Sequence, residues 1–483
     1  MQQVSEIIMN KIPTISGIAT ILLIIYIIIN IYTDWNVVLE LCSRIWNLYG
    51  TCQKKYYQWK RKKYDKELCD RKFIDWQYDV MKLIYGDLIN EKQQQGIKIN
   101  LSKLEIGDKV CEYEAVTIQM REVSYPFEGI CDKSGLRTKA DIAKSEYSYD
   151  KKLLQRNTVF KKYRKLIQYT VRYPKRLGYM LDEIVIDNKS GECHISAYSG
   201  NYENNLMQSH ILEYELYQLY KSMVRKRFFS KETPKLTRDF LLEHMPLRAS
   251  IHRKFAEGTE TEESDVLLSG KFRSSLLGVQ MLVLVKNYSG SYDALRIRRS
   301  SDVAAKAGYL QFIPSGGFEA MNDATDFDAQ WDNYSISKAL FRELLEECFG
   351  IDEDSPKFSS NVISPDRIYY NPYIRELLSM RENKIAHLAF LGTSMNLVGL
   401  RQELCFLLRI DDASFASQLT SNYESKSAVH LVDIRNLERE DFWCRSEADD
   451  DLKMLNCTSA GLFELARNSR LYQEALGKHC RPN

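Results

Sequence analysis

The stretch that decides the fold of the C-terminal half is Ser335–Gly350, SISKALFRELLEECFG. It reads as a helix that runs from about Ser335 to Gly350. Within it, Arg342-Glu343-Leu344-Leu345-Glu346-Glu347 sets three carboxylates at i, i+3 and i+4, so Glu343, Glu346 and Glu347 share one helix face. Leu340, Leu344 and Cys348 lie on another side, suited to packing on a sheet. Like charges so close repel unless a cation sits among them. A hard divalent ion with oxygen ligands, Mg²⁺ or Mn²⁺, meets that need. A solvated helix in which Arg342 pairs with Glu346 one turn on meets it as well.

Working outward, strand-like runs LLGVQMLVLVKN, DALRIRR and GYLQFIPSGGFE precede the helix, and IAHLAFLG and ELCFLLRI follow it. The chain ends on an amphipathic helical pattern, SAGLFELARNSRLYQEAL. Between the strands and the helix stands Ile313-Pro314-Ser315-Gly316-Gly317-Phe318-Glu319, a glycine turn where backbone can approach a ligand closely.

Here the sequence resembles the NUDIX hydrolase superfamily, whose box reads G-x5-E-x7-R-E-U-x-E-E-x-G-U, with U an aliphatic residue. Gly316 matches the box glycine, and Arg342, Glu343, Leu344, Glu346 and Glu347 match its core. Gly350 and Ile351 match its end. Two departures stand out. Gly316 and Arg342 lie further apart than in the box, with an insertion within MNDATDFDAQWDNYSIS, and the end reads EECFGI, one residue longer. The first box Glu therefore has no fixed counterpart; Glu319, Asp323, Asp326 and Asp328 are the candidates.

The resemblance covers about Leu268 to Leu476 and implies an α/β/α sandwich. It also implies hydrolysis of a nucleoside diphosphate linked to another moiety, with Mg²⁺ or Mn²⁺ held by Glu343, Glu346 and Glu347. Glu346 and Glu347 would carry the catalysis, with Glu403 or Glu424 as further candidate bases. Gly316 and Gly317 would cradle the ligand, and Arg296 and Arg298, with Arg299 beside them, would grip phosphate. Arg296 and Arg298 at a solvated strand end is the plainer alternative. Tyr309 and Phe312 fit either base recognition or the core.

The remaining sequence reads as distinct parts. With 67 Lys plus Arg against 65 Asp plus Glu, the net charge of +2 excludes a globally basic nucleic-acid packager, and 44% apolar residues allow sizeable cores. After a short tail at 1–11, the run from Ile12 to Thr33 is uncharged and centres on ILLIIYIII, which predicts a transmembrane helix. A cleaved secretory signal fits less well, because no small-x-small site follows. Residues 34–100 read as a basic helical region. Its KKYYQWKRKKY stretch interleaves aromatics with cations and suits an anionic lipid surface, nucleic acid or a plain exposed helix. These cations predict a single-pass protein of the cell membrane with its C-terminal part in the cytoplasm. Residues 101–256 read as a helical and α+β middle region of unassigned role, 257–267 as an acidic linker and 268–483 as the NUDIX-like domain. The overall class is α/β.

Scattered cysteines without a CxxC pair suit reduced thiols, and His244 with His252 has no third ligand nearby. A membrane helix and a long middle region ahead of a NUDIX box resemble the transmembrane NUDIX effectors of bacterial cyclic-oligonucleotide (CBASS) anti-phage signalling. That resemblance implies a cyclic nucleotide as ligand, a cyclic-nucleotide synthase as functional partner, a lipid membrane as target and a homo-oligomer on activation. It leaves three readings: an effector that binds the nucleotide without turnover, a metal-dependent hydrolase, and a tethered interaction protein that does neither.

Overall fold

The computed structural model describes residues 17, 19–26, 35–127, 129–130, 133–137, 148–170, 177–229, 235–299, 308–320, 331–351, 365–419, 429–444 and 451–478. Its contacts divide the chain into two units, one of residues 1–63 with 165–170 and one of 64–164 with 171–483.

The expected transmembrane helix is corrected. Among the described residues no helix is long and apolar enough to cross a membrane. Within 12–33 the described residues are 17 and 19–26, all helical. The long helix that follows, α1 (Trp35–Leu68), carries Glu40, Arg44 and a run of lysines, so length there comes without the apolar content a span requires. The rest of 12–33 lies outside the described residues.

In the first unit, α1 meets the end of a helix at Thr158–Thr170. Tyr57 stacks on Tyr169 at 4.9 Å with the rings 5° apart, and the Tyr169 hydroxyl donates to Gln53 Oε1 at 2.8 Å.

The second unit is a mixture of helix and sheet. After α2 (Arg71–Gln94), capped by the Asp70 side chain, come β1 (Ile99–Ile106) and β2 (Lys109–Ser124). Then follow β3 (Leu136–Arg137), β4 (Leu177–Ile186), β5 (Cys193–Asn201), α3 (Ile211–Phe229) and α4 (Pro246–Glu257). The strands β6 (Gly278–Lys286), β7 (Tyr292–Arg298), β8 (Leu310–Phe312) and β9 (Ser315–Gly317) lead to α5 (Ile336–Phe349). Beyond it lie β10 (Ala386–Asn396), β11 (Arg401–Ile410), β12 (His430–Asp433) and α6 (Cys457–Arg467).

The main sheet runs β1-β2-β10-β11-β6-β7-β12, with β8 on β7 and β9 on β6. Strands from both sides of residues 257–267 therefore share one sheet. The acidic stretch itself is packed: Lys92 Nζ lies 2.5 Å from Asp265, His252 Nδ1 is 2.8 Å from Glu263, and Arg238 also contacts Glu263. Val266 and Leu267 are buried and Glu263 and Asp265 are half-buried, while Glu257, Glu260 and Glu262 stay exposed. One face of the sheet packs under α6, where Leu282, Leu284, Phe312, Leu407, Phe463 and Trp443 form a continuous core. Each such side chain contributes on the order of 1.5–3 kcal/mol by leaving water.

A smaller sheet, β3-β5-β4, continues into the glycine turn. Asp187 to Glu192 closes the β4-β5 hairpin. Tyr179 N donates to Phe318 O at 2.9 Å, Leu277 N to Tyr179 O at 2.9 Å and Ala320 N to Leu177 O at 2.8 Å. The backbone after the turn is thus stitched to β4, with Tyr179, Phe318 and Tyr334 buried together beneath it.

Candidate functional site

The site forms where β9 and α5 meet. The Ser335 hydroxyl caps the helix start by accepting from Lys338 N, and Gly350 ends it with φ of 63°. This conformation strains any residue with a β-carbon, which explains glycine there. Across the sheet, Gly278 of β6 pairs with Gly317 of β9 on one side and with Glu403 of β11 on the other. One row therefore reads Glu403, Gly278, Gly317, and two absent side chains leave the Glu403 carboxylate room against Gly278.

On α5, Arg342, Glu343, Glu346 and Glu347 are between 4% and 7% exposed, which excludes the solvated surface helix. Gly316 has the Glu343 carboxylate where its own β-carbon would stand. Arg342 Nη2 donates to Glu343 Oε1 at 2.5 Å and to Gly317 O at 2.7 Å, and Nη1 lies 3.8 Å from Glu346 Oε1. The Ser315 amide donates to Glu347 Oε2 at 2.7 Å. The structure thus brings Glu343, Glu346, Glu347, Gly316 and Gly317 to one place.

Arg296 and Arg298 lie elsewhere. Arg296 sits over the Phe442 ring at 5.4 Å, and Arg298 donates to Gly308 O at 2.7 Å. Strand alternation turns Arg299 to the opposite face, where it feels the charges of Glu347 and Glu403 and donates to Gln311. Burial pulls its guanidinium down from the ordinary value, and those two carboxylates oppose the fall. Glu403 is 7% exposed and accepts from Arg401 Nη2 at 3.0 Å. Burial pushes its carboxyl up, while Arg401 and Arg299 pull it down. Its Oε2 has no partner of hydrogen-bonding geometry.

The signal for Glu403, a candidate base, and for Arg401, which no motif singles out, is their place in β11 beside Gly278. Tyr309 and Phe312 are core: the Tyr309 hydroxyl donates to Leu68 O, and Phe312 packs on Phe463. Glu319 is half-buried, with its carboxylate against Gly317. Asp323, Asp326, Asp328 and Glu424 lie outside the described residues. His252 is held between Glu263 and Tyr85, and His244 binds Phe240 O. Cys42, Cys52, Cys69, Cys111, Cys193, Cys348, Cys405 and Cys457 are free thiols.

Carboxylate oxygens are suitable donors for Mg²⁺ or Mn²⁺. As arranged, however, Glu343 is engaged by Arg342, Glu347 by the Ser315 amide, and Glu346 has the Arg342 guanidinium beside it. Among the described residues no group of three or more His, Cys, Asp or Glu side chains is placed to hold a metal ion. The box carboxylates offer oxygen donors of the type Mg²⁺ or Mn²⁺ takes, with the Arg342 guanidinium beside them.

No protein-family model matches the chain, and no curated protein does. Among solved structures, the NUDIX domain of Shewanella oneidensis NrtR, in complex with ADP ribose, is a weak structural neighbour. It is 14% identical, covers 41% of this chain and 89% of that chain, and has a TM-score of 0.24. A likeness of that size carries no argument about ligand or activity, so the functional reading rests on the chain's own residues.

Proposed function

We propose that the second unit is a NUDIX-like receptor that binds a nucleotide at the glycine turn and box helix and releases it unchanged. The observation that carries this reading is the junction of the glycine turn with the box helix, where Arg342 donates to both Glu343 and Gly317 O. Arg299 and Arg401, close enough to feel one another's charge, supply guanidinium donors suited to phosphate oxygens. Gly278 and Gly316, which carry no side chain, let the Glu403 and Glu343 carboxylates approach the backbone closely. The ligand in this proposal is a cyclic nucleotide, made by a nucleotidyltransferase on phage infection. The chain then acts as the effector of that bacterial defence and self-associates when loaded.

A second reading, metal-dependent hydrolysis of a nucleoside diphosphate derivative, is favoured by the all-oxygen donor set and by the unpartnered, buried Glu403 Oε2. The experiment that separates them incubates the full chain with linear and cyclic nucleotides plus Mg²⁺ or Mn²⁺, and measures both retention and products. Retention without product supports the receptor. Product formation that disappears in Glu346→Gln with Glu347→Gln supports the hydrolase. Neither retention nor product leaves an interaction protein.

A further inference from the structure

The first unit carries a surface that the nucleotide site does not use. At 100° per residue, Ile45, Leu48, Cys52, Tyr56 and Trp59 of α1 fall on one face, and Glu40, Asn47, Thr51, Lys54 and Gln58 on the opposite one. An amphipathic helix ordinarily buries its apolar face. Here Ile45 is 38% exposed, Leu48 70%, Trp59 49% and the neighbouring Trp46 75%. Lysines frame the face: Lys60 Nζ lies 4.6 Å from the Tyr56 ring centre and Lys63 Nζ 5.6 Å from that of Trp59. Their stems cover aromatic surface while the ammonium groups reach past it.

Charge selects the occupant. From Trp35 to Lys63 the cations are Arg44, Lys54, Lys55, Lys60, Arg61, Lys62 and Lys63, and the one acid, Glu40, is already paired with Arg44 at 2.7 Å. A second copy of the same helix would set this basic segment against itself. Nucleic acid would satisfy the lysines and leave Ile45 and Leu48 in water. An anionic lipid surface satisfies both, because headgroup phosphates take the lysines and the acyl boundary takes the aliphatic and indole side chains. We propose that the α1 face of Ile45, Leu48, Tyr56 and Trp59, framed by Lys55, Lys60 and Lys63, lies flat on an anionic phospholipid surface without crossing it.

The test is co-sedimentation of the full chain with vesicles of phosphatidylcholine alone or mixed with phosphatidylglycerol, over a series of salt concentrations. Every variant keeps residues 1–34, so the apolar residues 19–26 contribute equally throughout. The expected result is binding to the mixed vesicles that weakens with salt. Lys55→Glu, Lys60→Glu and Lys63→Glu together should lower affinity by about a hundredfold, and the corresponding Arg variant should retain it. Ile45→Ser, Leu48→Ser and Trp59→Ser together should lower affinity by about tenfold or more. A thermal midpoint equal to that of the parent chain shows that each variant is folded. Equal binding to neutral vesicles, binding unchanged in both variants, or no binding to either vesicle overturns the proposal. So does finding that these substitutions abolish self-association or oligonucleotide binding while lipid binding stays.

Discussion

Gly316 lies against Glu343 so closely that the carboxylate occupies the place of a β-carbon. The glycine of the turn and the first acid of the helix are therefore one packing unit. Gly316→Ala must displace a carboxylate that Arg342 holds, at a cost of about 1–3 kcal/mol. Gly86, inside α2, has no atom within 4 Å of such a carbon. Gly86→Ala should instead stabilise by about 0.5–1 kcal/mol through helix propensity. Urea unfolding of the two variants checks the opposite signs.

Arg342 is the cation of the carboxylate cluster. Arg342→Met leaves Glu343 and Glu346 buried without it and should destabilise by about 3–5 kcal/mol. Adding Glu343→Gln should recover part of the loss, measurable as a double-mutant cycle. A loss below about 0.5 kcal/mol would place Arg342 with ordinary surface pairs.

Arg248 ties α4 to the turn between β10 and β11. It is fully buried and donates to Leu397 O at 2.9 Å and to Val398 O and Tyr85. Arg248→Leu strands those carbonyls, so a loss of about 3–5 kcal/mol is expected. Faster amide exchange across residues 397–400 would report it locally.

Glu215 gives the stability a pH dependence. Burial pushes its carboxyl from 4.5 up to about 7, opposed by the Leu247 and Arg248 amides it accepts from and by the Arg248 charge. The folded chain then keeps a proton that the unfolded chain loses, so stability falls as pH rises from about 4.5 to about 7 and levels off above. The drop is on the order of 3 kcal/mol. Burial also pushes Glu464 up to about 7, against donors at Ser102, Lys103 and Thr117, and it contributes with the same sign. Denaturant titrations from pH 4 to 8 should show a shallower fall in Glu215→Gln than in the parent chain.

What the sequence makes legible here is local. Helical spacing discloses α5, and consecutive glycines disclose the turn, because both are decided by neighbours in the chain. The pairing of β2 with β10 joins residues far apart in sequence, and no local pattern announces it. The same holds for Glu403, which reaches the site through its pairing with Gly278. Arg299 was separable from Arg296 and Arg298 by strand parity alone, whereas the depth of its burial depended on the surrounding fold. Hydropathy of residues 12–33 is a property of composition, and among the described residues no helix is long and apolar enough to cross a membrane.

The central claim is that the box site holds a nucleotide and leaves it intact. Its most direct measurement is equilibrium dialysis of the full chain against labelled cyclic nucleotides with Mg²⁺ or Mn²⁺, followed by chromatography of what was retained. The account predicts retained, chemically unchanged nucleotide, weakened by Arg299→Ala and Arg401→Ala. Cleaved product, or retention that survives both substitutions, would contradict it.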